Sequence, residues 1–586
     1  MKVDKLFIRN WFLPPAIFNL IKKLNAYLKR DNEIDKRRFW LGENISSPRQ
    51  NVPFFGDLCS KSESVTLENE TRDCLLVKSG ESITTHCTKD NISKWNWKIS
   101  FSSISINPIG EILVESNSKL IGSLSHLIGM RWNTIKISDG SKYLSLCITN
   151  KTSSDVYVSH PNREALYKKN EKGLQNVVVL ILDSLWRDTV GIYKKNDKAS
   201  SPTPFIDNFF SNSLRYWNCF SSAEWTLPSV FSMLTTKYPV SHGRTDYRSF
   251  MPEFGDEKNP SFVDTLARNG LSTMASSGAK VFTPAFSGHI GFNRFFYDSY
   301  PESGRTDKCI TQRAIDHLRS NEDGRNFLYL HYIDTHDGWI DPSYAEESQL
   351  DPIRASNPLS EFMTLKDKNG DSKGEPRFEK DQIKILDKRL NVRLKEVDLA
   401  LQSLFAYLEN SGLASTSAVL LCADHGFQYK TRGRPLLSDT RVNVPLLIKH
   451  PNFKGKDISS LVNLGLDLGP TITHMLNIDF QSDEGKVLSP IGKSNQRKKV
   501  IIESIFGERY KVCIRTAKYV FHQHVKYDRK THMIDMSDEI EVFLFAVGNE
   551  ELNHNLTNTM PKVVEKMRTY VIDHLKKNAG EISWKQ

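Results

Sequence analysis

Three apolar runs, each ending abruptly in carboxylate or imidazole, constrain this chain more than any other feature. In "GLQNVVVLILDSLWRDTVG" an unbroken stretch from Val177 to Leu182 stops at Asp183. "RNFLYLHYIDTHDGW" delivers His331, Asp334 and His336, and "TSAVLLCADHGFQYK" delivers Asp424 and His425. A strand reads as continuous apolar sequence when both of its faces are covered, the condition of a parallel sheet between helices. Helical stretches such as "DQIKILDKRLNVRLKEVDLALQSLFAYLENSG" separate the runs. The alternation predicts an α/β fold with a mainly parallel sheet flanked by helices. Such folds bind ligands beyond the C-terminal ends of their strands, so the polar residues at these three ends are expected to converge.

At 586 residues the chain is too long for one core. Residues 50–165 carry short alternating segments such as "WNWKISFSSISI", "GEILVES" and "KYLSLCITN", with turn residues between them and no helical period. They predict an all-β, jelly-roll-like sandwich, either a structural addition or a sugar-binding one. Residues 1–49 are read as a helical N-terminal segment. Within it Ile17, Leu20, Ile21, Leu24 and Leu28 share a face beside Lys22, Lys23, Lys29 and Arg30. Residues 15–30 can therefore lie on an anionic membrane surface or pack on the protein's own body. The α/β body is expected over 174–494, with "KDKNGDSKGEPRFEK" (366–380) as a polar loop. A small α+β subdomain, a meander with a closing helix, is expected over 495–586.

The formal charge of +10 permits anionic substrates or a lipid surface. No nucleic-acid-binding motif is present, and nucleic acid is not an expected partner. The eight cysteines are scattered with no Cys-x-x-Cys pair, the pattern of buried reduced thiols rather than a disulfide frame or zinc site. No apolar stretch reaches transmembrane length, and the N-terminus lacks the apolar core and cleavage site of a signal peptide. The expected location is the cytoplasm, with any membrane contact peripheral and at the inner face.

"SSAEWTLPSVFSMLTTKYPVSHG" (221–243) sets Thr226 just before Pro228 and an apolar helix. Thr226 can cap that helix, with Pro228 in its first turn. It can instead be a nucleophile, held where backbone N–H groups and the helix dipole favour an anion. The acids bear on the choice. A buried aspartate is costly unless paired or bound to metal. Two acidic strand ends, one followed directly by His in "ADHG", point to a hard, oxygen-rich cation site.

Taken in order, "VVVLILDSLWRD", "SSAEWTLPSVFSMLTTKYP", "FLYLHYIDTHDGW", "LCADHGFQYK", "DTRVNVPLLIKHP" and "EVFLFAVGNEELNHNL" resemble the sulfatase branch of the alkaline phosphatase superfamily. The resemblance implies that Asp183, Asp424 and His425 bind one catalytic divalent metal ion (Mn, Mg or Ca, with Zn also compatible). Thr226 would be the nucleophile and a ligand of the same ion, and His336 would contact the substrate and leaving group. Lys430 and Arg432 align loosely with groups that meet the substrate's anionic oxygens. His242, His289 and His331 have no secure counterpart and read as structural histidines, with His331 kept as a candidate substrate contact.

Two departures shape the functional expectation. Sulfatases read Cys or Ser, any residue, Pro, any residue, Arg, and oxidise the first residue to formylglycine; here the stretch is Thr226-Leu227-Pro228-Ser229-Val230. Threonine cannot give that aldehyde. Members with threonine resemble phosphodiesterases and phosphoryl-group transferases. Sulfatases also place two acids at the first strand end, where this chain has Asp183-Ser184. The expectation is a metal-dependent transferase of a phosphoglycerol, phosphoethanolamine or phosphoramidate-type group. It would move that group from an anionic phospho-donor to a glycan or lipid-linked sugar in capsule or surface polysaccharide biosynthesis. The alternatives are a phosphodiesterase or sulfatase-type ester hydrolase, and a catalytically silent carbohydrate-binding protein.

Overall fold

The computed structural model describes residues 63–586, apart from 68, 87–93, 104, 139–144, 168–172, 195–200, 246–260, 299–305, 337–379, 428–436, 493–495 and 581. The amphipathic stretch 15–30, most of the polar loop 366–380, and both Lys430 and Arg432 lie outside the described residues.

Eight strands carry the α/β body, in the order Arg294–Tyr297, Leu271–Ser277, Arg325–Tyr332, Asn176–Leu182, Ser417–Cys422, Leu446–Lys449, Leu214–Phe220 and Lys456–Asn463. Neighbours run parallel except at Leu446–Lys449, which is antiparallel to both of its partners. Asn176–Leu182 lies between two parallel partners and is buried along its whole length, which is why its sequence shows no alternation. Helices flank the sheet in two groups. Thr226–Thr235 packs on Leu464–Met475, and Lys380–Asn410 packs on Asp307–Ser320 and Pro204–Phe209. The predicted mainly parallel α/β body is thus present. Among the described residues no helix is long and apolar enough to cross a membrane.

The β-sandwich precedes it. A four-stranded sheet (Ser82–His86, Ser145–Thr152, Gly110–Ser116, Lys119–Leu124) and a second sheet enclose a core that includes Trp95, Trp97, Phe101, Val114 and Ile148. The second sheet does not end at the sandwich. Its strand Glu70–Val77 pairs antiparallel with Arg294–Tyr297, so sandwich and α/β body share one fourteen-stranded sheet. At that seam Glu70 is buried and ion-paired with Arg72 and Arg294, each at 2.7 Å. The accessory strands are thereby welded to the body rather than tethered to it.

The C-terminal region is a four-strand antiparallel meander from Lys499 to Ala546, with Ser583–Lys585 added parallel to its last strand. The helix Pro561–Asn578 closes over it through Val564, Met567, Val571 and Leu575. The meander docks beside Thr226: Glu503 N–H donates to Ser222 O at 2.9 Å, and Ser504 Oγ donates to Glu224 Oε1 at 2.6 Å. Arg515 ties the region down by a two-pronged contact to Glu550 (3.0 and 2.8 Å) and another to Asp439 (2.6 Å). Cys74, Cys219, Cys422 and Cys513 are buried, whereas Cys309 is exposed.

Candidate active site

The three central strands end side by side. Ile181 stands opposite both His331 and Cys422, and Leu182 opposite Tyr332. This register sets Asp183, His331 and Asp424 at one point, all fully buried, with one ligand atom from each within 4.8 Å of the others. His331 Nε2 donates to Asp183 Oδ2 at 2.9 Å and lies 3.8 Å from Asp424 Oδ2. Asp424 Oδ1 accepts from the backbone N–H groups of Ser184 (3.1 Å) and His425 (2.9 Å). Its other oxygen, Oδ2, is buried and has no hydrogen-bond partner. Leaving a carboxylate oxygen buried and unpaired is costly unless a cation faces it. Two hard carboxylate oxygens match the donors that divalent Mn, Mg or Ca accept, and His331 Nε2 could join them only by giving up its proton. The residues present fit such an ion.

Thr226 opens the helix Thr226–Thr235, and Trp225, extended at φ −152°, occupies the cap position before it. Thr226 therefore does not cap the helix. Its buried hydroxyl donates to His425 Nε2 at 3.2 Å. His425 Nδ1 faces Gly426 O at 2.8 Å. A carbonyl only accepts, so Nδ1 carries the hydrogen and Nε2 presents its lone pair to Thr226. His425 Nε2 also lies 3.6 Å from Asp424 Oδ2, joining Thr226 to the acids. Gly426 is required sterically: a Cβ there would meet Thr440 O at 2.2 Å.

His336 follows the short turn Ile333–Thr335 and is half-buried. Burial alone would raise the Asp183 pKa. The hydrogen bond from His331 and the charges of His336 and His331 overcome it and hold the carboxyl well below the usual carboxylate range. Burial likewise works against the His331 cation, but its hydrogen bond to Asp183 and the charges of Asp183 and Asp424 raise its pKa.

The structure thus brings Asp183, Thr226, Asp424 and His425 together, with His336 in electrostatic reach of Asp183. His331, read from sequence as a structural histidine kept as a candidate substrate contact, stands within the acidic cluster. The signal was an imidazole inside an otherwise apolar, fully buried strand. His242 and His289 are buried outside that cluster. Burial lowers the His242 pKa to about 3 beside Ser232 (3.1 Å), and His289 meets Ser64 at 2.9 Å. Sequence reasoning passed over Ser184 as a contact residue and missed Glu224.

Among solved structures, the chain is similar to BT1596, a 2-O GAG sulfatase (14% identity, TM-score 0.52, covering 70% of this chain and 93% of that one). A Bacteroides thetaiotaomicron protein of glycosaminoglycan metabolism matches at 15% identity and TM-score 0.52, over 70% of this chain and 97% of that one. The phosphonate monoester hydrolase SpPMH from Silicibacter pomeroyi matches at 16% identity and TM-score 0.51, over 69% and 96%. At these identities the likeness is one of fold. The family model described as Sulfatase matches residues 175–478, just over half of the chain. That span starts at the strand delivering Asp183 and includes Thr226, His331 and Asp424, and on this ground the chain belongs to the sulfatase family.

Proposed function

We propose that this chain transfers a phosphoryl-type group through Thr226, from an anionic phospho-donor to a hydroxyl of a surface polysaccharide or lipid-linked sugar. The observation that carries the reading is the 3.2 Å hydrogen bond from Thr226 Oγ1 to His425 Nε2 at the start of a buried helix, beside the acidic cluster. A sulfatase of this family needs an oxidisable Cys or Ser where Thr226 stands. Val230, fully buried in the same helix, also replaces the arginine of that motif.

Asp183 and Asp424 would hold a divalent ion through their carboxylate oxygens, which leaves the His425 Nε2 lone pair to Thr226. When bound, such an ion supplies charge neutralisation for a non-bridging oxygen and a lower pKa for a nearby hydroxyl. The protein's own groups account for the proton path. His425 Nε2 takes the Thr226 proton while Gly426 O fixes the ring tautomer. Thr226 Oγ attacks phosphorus in line, the helix N-terminus faces the developing negative charge, and the bond from phosphorus to the departing oxygen breaks. His336 gives that oxygen a proton. An acceptor hydroxyl gives its proton to His336 and displaces Thr226 from the phosphothreonine, and the threonine oxygen regains its proton from His425.

The test is incubation with labelled aryl phosphodiesters, phosphonates and sulfates, without acceptor, across Mg, Mn, Ca and Zn. Label trapped on Thr226 from a phosphorus ester, and absent from Thr226→Ala, is the expected result. Clear preference for aryl sulfates, or a near-full rate in Thr226→Ala, overturns it. Fast multiple turnover without acceptor makes the protein a hydrolase.

A further inference from the structure

Ser184 has no part in the chemistry above, yet it sits at its centre in a costly conformation. It is fully buried, and its φ of +59° places it in the left-handed region. There the Cβ of an ordinary residue is crowded, at a cost of about 1–2 kcal/mol. A glycine would adopt the same backbone freely, so the retained side chain calls for a use.

Its contacts supply one. The Ser184 N–H donates to Asp424 Oδ1 at 3.1 Å, and its Oγ donates to Asp183 Oδ1 at 2.8 Å. Each aspartate is thereby held by one oxygen. The two remaining oxygens, Asp183 Oδ2 and the unpartnered Asp424 Oδ2, are the ones that face His331 Nε2. The left-handed turn is what lets one residue reach both acids: it directs the N–H to the strand end on one side and leaves Oγ beside the residue before it. Oγ also stands 3.4 Å from His425 Nε2, behind the Thr226 contact.

We infer that Ser184 is a positioning residue of this site, a two-armed clamp that selects which oxygen of Asp183 and which of Asp424 face inward. An acid at this position would put a second negative charge against Asp183 Oδ1, where the hydroxyl instead donates. The inference rests on the proposed function only in taking the acidic cluster as a cation site.

Two variants of the full chain test it. Ser184→Ala removes the hydroxyl and keeps the crowded backbone; Ser184→Gly removes the hydroxyl and relieves the crowding, so it should fold at least as well as the parent. Mn2+ affinity is measured by calorimetric titration without substrate, alongside the kcat and KM of whichever ester the parent turns over. Loss of an orienting partner of this kind costs about 10–100-fold in metal affinity or activity. A drop of that size in both variants, falling on kcat rather than KM, is expected. Equal affinity and equal kcat in parent and variants overturn the clamp. Crystal structures of metal-free parent and Ser184→Gly give a readout independent of any ion. The Asp183 carboxylate is expected to turn so that its hydrogen bond to His331 lengthens or breaks; if the carboxylate keeps its position, Ser184 does not orient it and the inference falls. Failure of the parent to bind any divalent ion would instead count against the proposed function, and the structural comparison would still decide the clamp.

Discussion

Replacing Glu70 with Gln tests whether the sandwich is part of the α/β body or an attachment to it. Glu70 is buried at the seam, accepts from Arg72 and Arg294, and lies in the strand that joins the two sheets. Burial pushes its pKa up, but Arg72 and Arg294 outweigh that and bring it to about 2. Against about 4.3 for a free glutamate, this corresponds to about 3 kcal/mol of stability held in the charged form. The sign follows from the depressed value. The contribution is fully present above about pH 4.3 and is withdrawn as the pH falls toward 2. Glu70→Gln keeps the shape and removes the charge at every pH, leaving two guanidinium groups facing each other across the seam. A chain with several cores does not unfold in one step, so a global melting curve is the wrong probe. Amide exchange of residues 70–77, followed by mass spectrometry at pH 7, reads the local opening directly. An exchange rate about 150-fold faster in the variant is expected from 3 kcal/mol. The parent should lose protection there on acidification below about pH 4, with a much smaller pH response in Glu70→Gln. Protection within threefold of the parent at pH 7 would refute the reasoning and return the sandwich to the status of an independent module.

Three further perturbations address the site and its support. His425→Gln removes the base facing Thr226 and should lower kcat by about 10²–10⁴-fold in steady-state assays, with the circular dichroism spectrum unchanged; an unaltered kcat would exclude His425 as the base. Gly426→Ala forces a Cβ to within 2.2 Å of Thr440 O, so the turn carrying His425 must shift, and the expected result is a loss in kcat larger than the change in KM. Arg515→Met removes the cation that pairs with buried Glu550 and with Asp439. It should destabilise the C-terminal meander by about 3–5 kcal/mol, seen as early loss of exchange protection over 499–546.

The α/β body was legible because burial on both faces leaves a mark that needs no tertiary information: a run such as Val177–Leu182 has few other homes. The strand ends were legible for the same reason, since Asp183 and Asp424 interrupt apolar sequence where a parallel strand must stop. His331 was misjudged because it lies inside its run, two residues before the turn, and only the register against Ile181 brings it level with the acids. Thr226 was equally suited by residue type to capping and to attack. The difference is one position in the helix start, and Trp225 carries no capping side chain to announce it. The shared sheet could not be read at all. It depends on two pairings, Thr71 with Phe295 and Glu70 with Phe296, and a sequence does not record which edges meet.

The hydrogen bond from Ser504 to Glu224 spans 280 residues, and beside it Glu503 grips Ser222. Both contacts hold the loop that ends in Thr226. At about 5–20 residues per second of synthesis, that loop waits about 15 to 60 seconds on the ribosome for the strand that steadies it. The acids at the strand ends can meet earlier, once residue 425 has emerged. The site is therefore built in two stages in time, its anionic cluster first and the loop that ends in Thr226 last. A nascent chain would hold the charged half of the site well before Thr226 has the support that fixes it beside His425.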